Sequence, residues 1–418
     1  MYKKRTAEAM IKEVADSFPC IVIYGPRQVG KSTTVDYLFG DKYRKVTLDD
    51  LEDRALANTN PKGFLEAYGY PLVIDEIQKA PQLLDEIKKV IDEQKLKWVK
   101  DNADRQLLFI LTGSNQFELQ QGISDSLAGR CGIVEISSFS SAEIYEKDGE
   151  LFDPDIHSLL EKERKLEGFY RTRKKIYEDI FQGGMPDIRT GISKRDVYFK
   201  SYLSTYIEKD VRKLVAAGSE LVFRNFMSIL ALRTAQELHY DTIASAVGID
   251  VRTCKKWISI LETSGIVFLL QPYMSNVSNR IIKAPKLYFM DTGLCSYLCK
   301  WQDAEMLENC AMSGAFFETY VVSELIKNYI SHNKDPRSEV FYYRDIDQKE
   351  IDILIVKQGE IYPIEVKKGD APSKPTKNFK VLDKYGLTIM PGLVIDTCDK
   401  IRPINENAYY YPVSLFGM

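Results

Sequence analysis

The sequence predicts an α/β chain whose N-terminal part is a parallel sheet covered by helices on both faces. Three observations carry that prediction. Apolar strand-like runs alternate with amphipathic helical stretches over residues 5–137. The first run, Ile21-Val22-Ile23-Tyr24, empties into Gly25-Pro26-Arg27-Gln28-Val29-Gly30-Lys31-Ser32-Thr33, which has the spacing G-x-x-x-x-G-K-[ST]. A second run, Leu72-Val73-Ile74, ends in two adjacent acids, Asp75 and Glu76.

The elements follow in order. Residues 32–39 read as a helix closed by Gly40. Residues 43–48 read as a strand, followed by acids and a short helix that stops before Pro61. The Leu72 strand leads to a helix opened by Pro81, residues 107–112 give another strand, and residues 132–136 give the last. In such a sheet a nucleotide sits at the carboxyl ends of the strands.

The glycine-bounded loop is read as a phosphate cradle. Gly25 and Gly30 let backbone N–H groups turn inward without Cβ collisions, and the positive end of the helix beginning near Lys31 faces the same phosphates. All nine loop residues, Gly25, Pro26, Arg27, Gln28, Val29, Gly30, Lys31, Ser32 and Thr33, are assigned to ATP. Within them Lys31 reaches the β/γ oxygens and the Ser32 hydroxyl ligates Mg²⁺. Asp75 is assigned to the metal and Glu76 to the attacking water; the alternative is a buried strand whose acids are merely solvated. Asn115 is the first choice for positioning that water and Ser114 the second. Arg130, in Ser126-Leu127-Ala128-Gly129-Arg130, either neutralises developing γ-phosphate charge, in cis or from a neighbouring subunit, or forms a surface ion pair.

Composition bounds the rest. A chain of 418 residues is long enough for roughly two to four domains. The balance of 57 basic against 60 acidic side chains excludes a strong overall attraction to nucleic acid or an anionic membrane, so any such contact needs a local patch. No apolar run has the length of a signal-peptide core or a bilayer span, and a cytoplasmic protein is expected. Seven scattered cysteines and three histidines, none of these near Cys295, Cys299 and Cys310, point to free packing thiols and not to disulfides or zinc.

Residues 161–175 read as a solvated charged helix, and the aromatic positions over residues 197–207 as helix core and not a base-stacking platform. Lys209-Asp210-Val211-Arg212 could offer Arg212 to the nucleotide, with a structural role the favoured reading. Residues 221–232 read as an amphipathic helix, 240–249 as a short helix and glycine turn and 251–263 as a third helix, and residues 261–270 enter a strand, the order of a winged helix-turn-helix. Arg252, Lys255 and Lys256 lie on the helix that would enter a DNA major groove, although such modules also serve as protein-contact surfaces.

Near the C-terminus, Glu350-Ile351-Asp352-Ile353-Leu354-Ile355-Val356 and Ile361-Tyr362-Pro363-Ile364-Glu365-Val366-Lys367 flank a short turn. A turn symmetric about the Gln358–Gly359 bond sets Asp352 opposite Glu365 and Glu350 opposite Lys367. One face then carries Ile351, Ile353, Ile355, Ile364 and Val366, and the other Asp352, Glu365 and Lys367. Like charges in register are destabilising, which favours a bound cation; a bulge at Gly359 would shift the pairing.

The loop, read with residues 72–78, 111–115 and 127–130, resembles the AAA-type ATPases of bacteria and archaea whose C-terminal half is a domain of unknown function. The likeness extends over nearly the whole chain and implies an ATP-binding module, a winged helix and a nuclease-like terminus. Phe181-Gln182-Gly183-Gly184-Met185-Pro186 resembles the glycine-proline element at the base of the helical lid in related NTPases, which implies that Pro186 lies near the adenine. Asp352 and Glu365-Val366-Lys367, with Glu318 on an earlier helix, resemble the PD-(D/E)XK nuclease superfamily. That resemblance implies that Asp352 and Glu365 hold Mg²⁺, that Glu318 completes or orients the site, and that Lys367 stabilises the attacking hydroxide or the phosphorane-like charge. Ile351 stands where the superfamily name has proline, and the alternative is a nuclease-like fold kept for binding or assembly.

The expected organisation is a P-loop ATPase domain over residues 1–180, a helical lid over 181–215, a winged helix over 216–290 and an α/β restriction-endonuclease-like domain over 291–418. ATP and Mg²⁺ are the expected ligands; DNA, a protein partner or a second copy are the candidate partners, and no membrane. The expected activity is Mg-ATP hydrolysis coupled to the later domains, with a nucleotide-gated interaction protein as the competing reading.

Overall fold

The computed structural model describes residues 2–113, 126–206, 220–274, 284–369 and 374–418. Its N-terminal part is a parallel sheet of β1 (Cys20–Tyr24), β2 (Arg44–Thr47), β3 (Leu72–Asp75), β4 (Phe109–Gly113) and β5 (Cys131–Glu135). Among the described residues the strand order is β2-β3-β4-β1-β5. Helix α1 (Glu8–Ser17) precedes β1, α2 (Lys31–Phe39) follows it, α3 (Leu51–Thr59) and α4 (Pro61–Tyr68) join β2 to β3, and α5 (Leu83–Asp101) joins β3 to β4. The inner strands β1, β3 and β4 feed both faces, as a period of two requires. Cys20, Val22, Ile74 and Leu111 enter one core with Phe64, Leu83 and Ile87. Ile21, Ile23, Val73 and Ile110 enter the other with Ile11, Val14 and Val35. Local chemistry sets the helix starts: Asp50 accepts from the N–H groups of Glu52 and Asp53 to open α3, and Asn60, followed by Pro61, opens α4.

Beyond the sheet, helices Glu220–Ala231, Tyr240–Val247 and Val251–Thr263 pack beside an antiparallel sheet of β6 (Gln236–Glu237), β7 (Val267–Leu270) and β8 (Lys286–Phe289), in the order β6-β8-β7. The long helix Ser313–Ser331 then precedes β9 (Val340–Arg344), β10 (Glu350–Lys357), β11 (Glu360–Val366), β12 (Thr388–Ile389), β13 (Gly392–Asp396), β14 (Arg402–Asn405) and β15 (Ala408–Pro412). Among the described residues these form one mixed sheet ordered β14-β15-β13-β11-β10-β9, with β12 beside β11. No helix among the described residues is long and apolar enough to cross a membrane.

Packing does not break at the expected boundaries. One continuous core runs from Phe152 through Ile180, Phe226, Trp257, Phe289 and Phe317 to Phe416. Residues 152–180, expected with the ATPase domain, therefore pack with the C-terminal part; the change of core falls between Ile136 and Phe152. The aromatic positions Tyr198, Phe199, Tyr202 and Tyr206 lie in this core.

The β10–β11 hairpin pairs Ile353 with Ile364 and Lys357 with Glu360, the register of the symmetric turn. Gln358 (φ 52°) and Gly359 (φ 86°) are both left-handed, as a two-residue hairpin turn needs. The irregularity lies instead between β10 and β9, at Ile351/Leu354. It corrects the expected faces: Ile351 packs with Leu354 and Tyr343 on one side of the sheet, and Ile353 and Ile355 on the other. Both faces are covered, so Asp352 and Glu365, expected on a polar face, are buried at 7% and 4% exposure.

Gly183 and Gly184 mark a crossing of three segments. The Gly184 N–H donates to Asp291 Oδ2 (2.8 Å), its carbonyl accepts from the Phe139 N–H (2.8 Å), and Asp291 Oδ1 accepts from the Leu294 N–H (2.8 Å). A Cβ on Gly183 would lie 2.3 Å from Asp291 Oδ1. Asp291→Ala is expected to lower stability by about 1–3 kcal/mol, because a buried N–H loses its acceptor; a urea denaturation curve checks this.

Candidate functional site

The phosphate loop joins buried β1 to α2. Gly25 (φ 149°) is required by close approach, since a Cβ there would sit 1.9 Å from the Ile136 carbonyl oxygen. Gly30 (φ 93°) ends the loop and caps α2. Between them Gln28 is left-handed and exposed, while Val29 is buried. The Lys31 ammonium donates to the carbonyls of Gly25 (2.9 Å) and Pro26 (2.7 Å), at the mouth of the loop. Thr33 is exposed on the first turn of α2. Pro186 abuts the loop: a Cβ on Gly30 would lie 3.9 Å from its Cγ. On another side, a Cβ on Gly265 would lie 2.7 Å from Pro26 Cγ. A cleft of about 530 Å³ opens here, lined among others by Tyr24, Pro26, Val29, Met185, Ile266 and Phe268.

The strand tips bring the metal candidates together. Ser32 Oγ donates to Asp75 Oδ2 (3.3 Å), and the buried Thr112 hydroxyl donates to the other Asp75 oxygen. Glu76 follows in a left-handed conformation (φ 57°), and the Gln78 side-chain amide donates to its carboxylate. Asn115, Ser114 and Arg212 lie outside the described residues. Arg130 makes a bidentate pair with Asp92 of α5 (2.7 and 3.0 Å), holding that carboxyl below its usual range, the arrangement of a surface ion pair.

Arg5, absent from the sequence reading, braces the loop from behind. Its 3%-exposed guanidinium donates to the Val29 carbonyl (2.8 Å), the Ser137 carbonyl (2.6 Å) and Glu143 Oε1 (2.9 Å). Glu143 is itself half of a capping box with Ser140, visible as Ser140-Ser141-Ala142-Glu143. No local pattern marks Arg5, because its partners are 24 to 138 residues away. Thr112 and Gln78 were also missed as positioning groups; both flank quoted motif residues, and that adjacency was the available signal.

The C-terminal candidates gather around two lysines. Lys367 Nζ is 2.7 Å from Glu365 Oε2 and 3.5 Å from Asp352 Oδ2, and the Val366 N–H donates to Asp352 Oδ2 (2.8 Å). Lys286 of β8, only 2% exposed, donates to Glu318 Oε1 (2.9 Å), contacts Glu350 and lies 3.9 Å from Asp352 Oδ1. Tyr288 donates to the same Glu318 oxygen (2.7 Å). Burial alone would lower the Lys286 ammonium, but Tyr288, Glu318, Asp352 and Glu350 hold it well above its usual range. Burial and neighbouring Asp352 push Glu365 up to about 8, against the pull of Lys367. Burial likewise raises Glu318, whereas Lys286 and Lys367 hold Asp352 below its usual range despite burial.

The expected metal ligands Glu318, Asp352 and Glu365 are each paired with an ammonium group. Among the described residues no three His, Cys, Asp or Glu side chains form a group able to hold a metal ion. The charge that a cation was expected to neutralise is met by Lys286 and Lys367.

Removing the brace behind the loop tests its weight. Arg5→Ala is expected to destabilise the chain by about 3–5 kcal/mol, as it leaves the 4%-exposed Glu143 without its cation; chemical denaturation reads the loss.

Comparison with known proteins finds likenesses over several parts of the chain. Residues 17–145 match the family model of an AAA domain, residues 173–305 a domain of unknown function (DUF8612) and residues 313–416 another (DUF4143). Uncharacterized proteins of Mycobacterium tuberculosis and Mycobacterium bovis are each 24% identical over 376 residues, 89% of this chain and 76% of theirs. Among solved structures, a Walker-type ATPase of Pyrococcus abyssi is similar at 13% identity and a TM-score of 0.43, over 71% of this chain and 96% of that one. The ORC2 protein of Aeropyrum pernix is similar at 14% identity and a TM-score of 0.34, over 70% and 91%. The stretch that carries the phosphate loop at the head of the parallel five-stranded sheet is thus similar to an AAA domain.

Proposed function

We propose that this chain hydrolyses Mg-ATP and uses the nucleotide to alter how its later units are presented to a partner. The observation that carries the reading is the meeting of Ser32, Asp75 and Thr112 beside the glycine-cradled loop. A hydroxyl and a carboxylate are the hard oxygen donors that Mg²⁺ prefers, and Gly25 keeps the loop free of a side chain. Ser32 and Asp75 would hold the ion, which screens phosphate charge when bound. In this reading Lys31 pairs with the β/γ oxygens, and Thr112 keeps the Asp75 carboxylate turned toward Ser32. Glu76 orients the attacking water, with the Gln78 amide steadying its carboxylate.

The three helices and β6-β8-β7 support the reading of a winged helix, with Arg252, Lys255 and Lys256 exposed on the Val251–Thr263 helix. We read this unit as the partner-contacting surface, for DNA or protein. For the C-terminal unit a nuclease would need its acids free for metal, and Lys286 favours the alternative of a nuclease-like fold kept for binding or assembly.

Lys31→Ala should weaken ATP binding by about 10- to 100-fold, the worth of roughly 1.5–3 kcal/mol for hydrogen bonds to a charged group. Isothermal titration calorimetry measures it, and unchanged affinity removes the loop assignment. Glu76→Gln should keep that affinity while lowering turnover by about 10²- to 10⁴-fold in a phosphate-release assay. Parental turnover would assign the water to another group.

A further inference from the structure

Lys286 is buried where neither the ATPase site nor the apolar core requires a charge. Its strand, β8, belongs to the three-stranded sheet, yet its ammonium crosses to the C-terminal unit. There it reaches Glu318 on the Ser313–Ser331 helix and both Glu350 and Asp352 on β10. Tyr288, two residues on and therefore on the same face of β8, adds its hydroxyl to Glu318. Lys367 closes the far side against Asp352 and Glu365, and Arg344 lies 3.4 Å from Glu350. The carboxylates of Glu318, Glu350, Asp352 and Glu365 thus face Lys286, Lys367 and Arg344, the last of which is shared with Glu237 (3.2 Å).

Carboxylates taken out of water must be neutralised. A divalent ion or an ammonium can do so, but the Lys286 Nζ is within contact distance of oxygens on three of the acids, where a metal would have to bind. The contact is also a fastening. The Tyr273 N–H donates to the Tyr342 carbonyl (2.7 Å) and the Tyr342 N–H to the Gln271 carbonyl (3.1 Å), so the chain leaving β7 continues onto β9 beside the same cluster.

We propose that Lys286 is a built-in cation that closes the Glu318, Glu350 and Asp352 cluster to divalent metal ions and clamps the three-stranded sheet onto the C-terminal unit. Metal entry then requires β8 to withdraw from the Ser313–Ser331 helix and β10. The proposal does not depend on ATP hydrolysis.

The test is Mn²⁺ titration of the nucleotide-free full chain, followed by electron paramagnetic resonance of free Mn²⁺. Parent, Lys286→Arg, Lys286→Met, Asp352→Asn and Lys286→Met with Asp352→Asn are compared, and the Asp352→Asn arms separate this cluster from the acid at the phosphate loop. Lys286→Met should gain one Mn²⁺ site, at least about tenfold tighter than any in the parent, and lose it when Asp352→Asn is added. Lys286→Arg should behave as the parent. Parental Mn²⁺ binding that falls with Asp352→Asn, or no gain in Lys286→Met, overturns the proposal. If Lys286→Met unfolds in the absence of metal, its melting curve is recorded with Mn²⁺: a Tm restored by the ion supports the built-in cation, and an unaltered Tm overturns it.

Discussion

The three-way grip of the Arg5 guanidinium is the contact on which the geometry of the nucleotide site depends. One planar fork satisfies two carbonyls and a carboxylate that belong to the phosphate loop, the segment leaving β5 and the helix opened by Ser140. Arginine suits this because its donors diverge in a plane and its charge persists on burial. The Arg5 guanidinium also lies 4.8 Å from the centre of the Phe139 ring, so the same group is packed as well as hydrogen-bonded. The loop is thereby held from behind, while its N–H groups are left to face a ligand.

From this grip the Ser313–Ser331 helix carries the contacts onward. Lys327 donates to the Phe139 carbonyl (3.1 Å) and to Glu324 (3.1 Å), and Glu324 accepts from the Ser141 N–H (2.6 Å). Asn328 exchanges bonds with the Phe152 N–H and the Glu150 carbonyl. Glu324, Lys327 and Asn328 thus each have a partner on the segment leaving the ATPase sheet, which fixes the helix in position and rotation. Toward its other end the helix carries Glu318, held by Lys286 and Tyr288. One rigid element therefore touches both the exit of the nucleotide domain and the C-terminal acid cluster, and it offers a physical route by which changes at one would be felt at the other.

The two acid-bearing regions differ in kind because their surroundings differ. At the strand tips, Asp75 is met by two hydroxyls, neutral groups that orient a carboxylate without neutralising it. In the C-terminal sheet the acids are met by ammonium groups, which do neutralise them. The first arrangement leaves a negative charge available to a cation arriving with phosphate; the second has already used it.

Features governed by short-range geometry were legible in the amino-acid sequence alone. The spacing from Gly25 to Ser32, the alternation that buries both faces of β1 and β4, and the Gln358–Gly359 turn with its register all follow from backbone conformations that only certain residues adopt. The tertiary structure alone decided which distant side chains neutralise buried charge. It brought Arg5 to Glu143 and Lys286 to Glu318, it paired Arg130 with Asp92 at the surface, and it turned Ile351 away from Ile353 through an irregularity in pairing with β9. It also merged residues 152–180 with the C-terminal core. Periodicity states which face of an element is apolar, but the partner of a buried charge is whichever group the packed chain carries there, and no local spacing encodes that meeting.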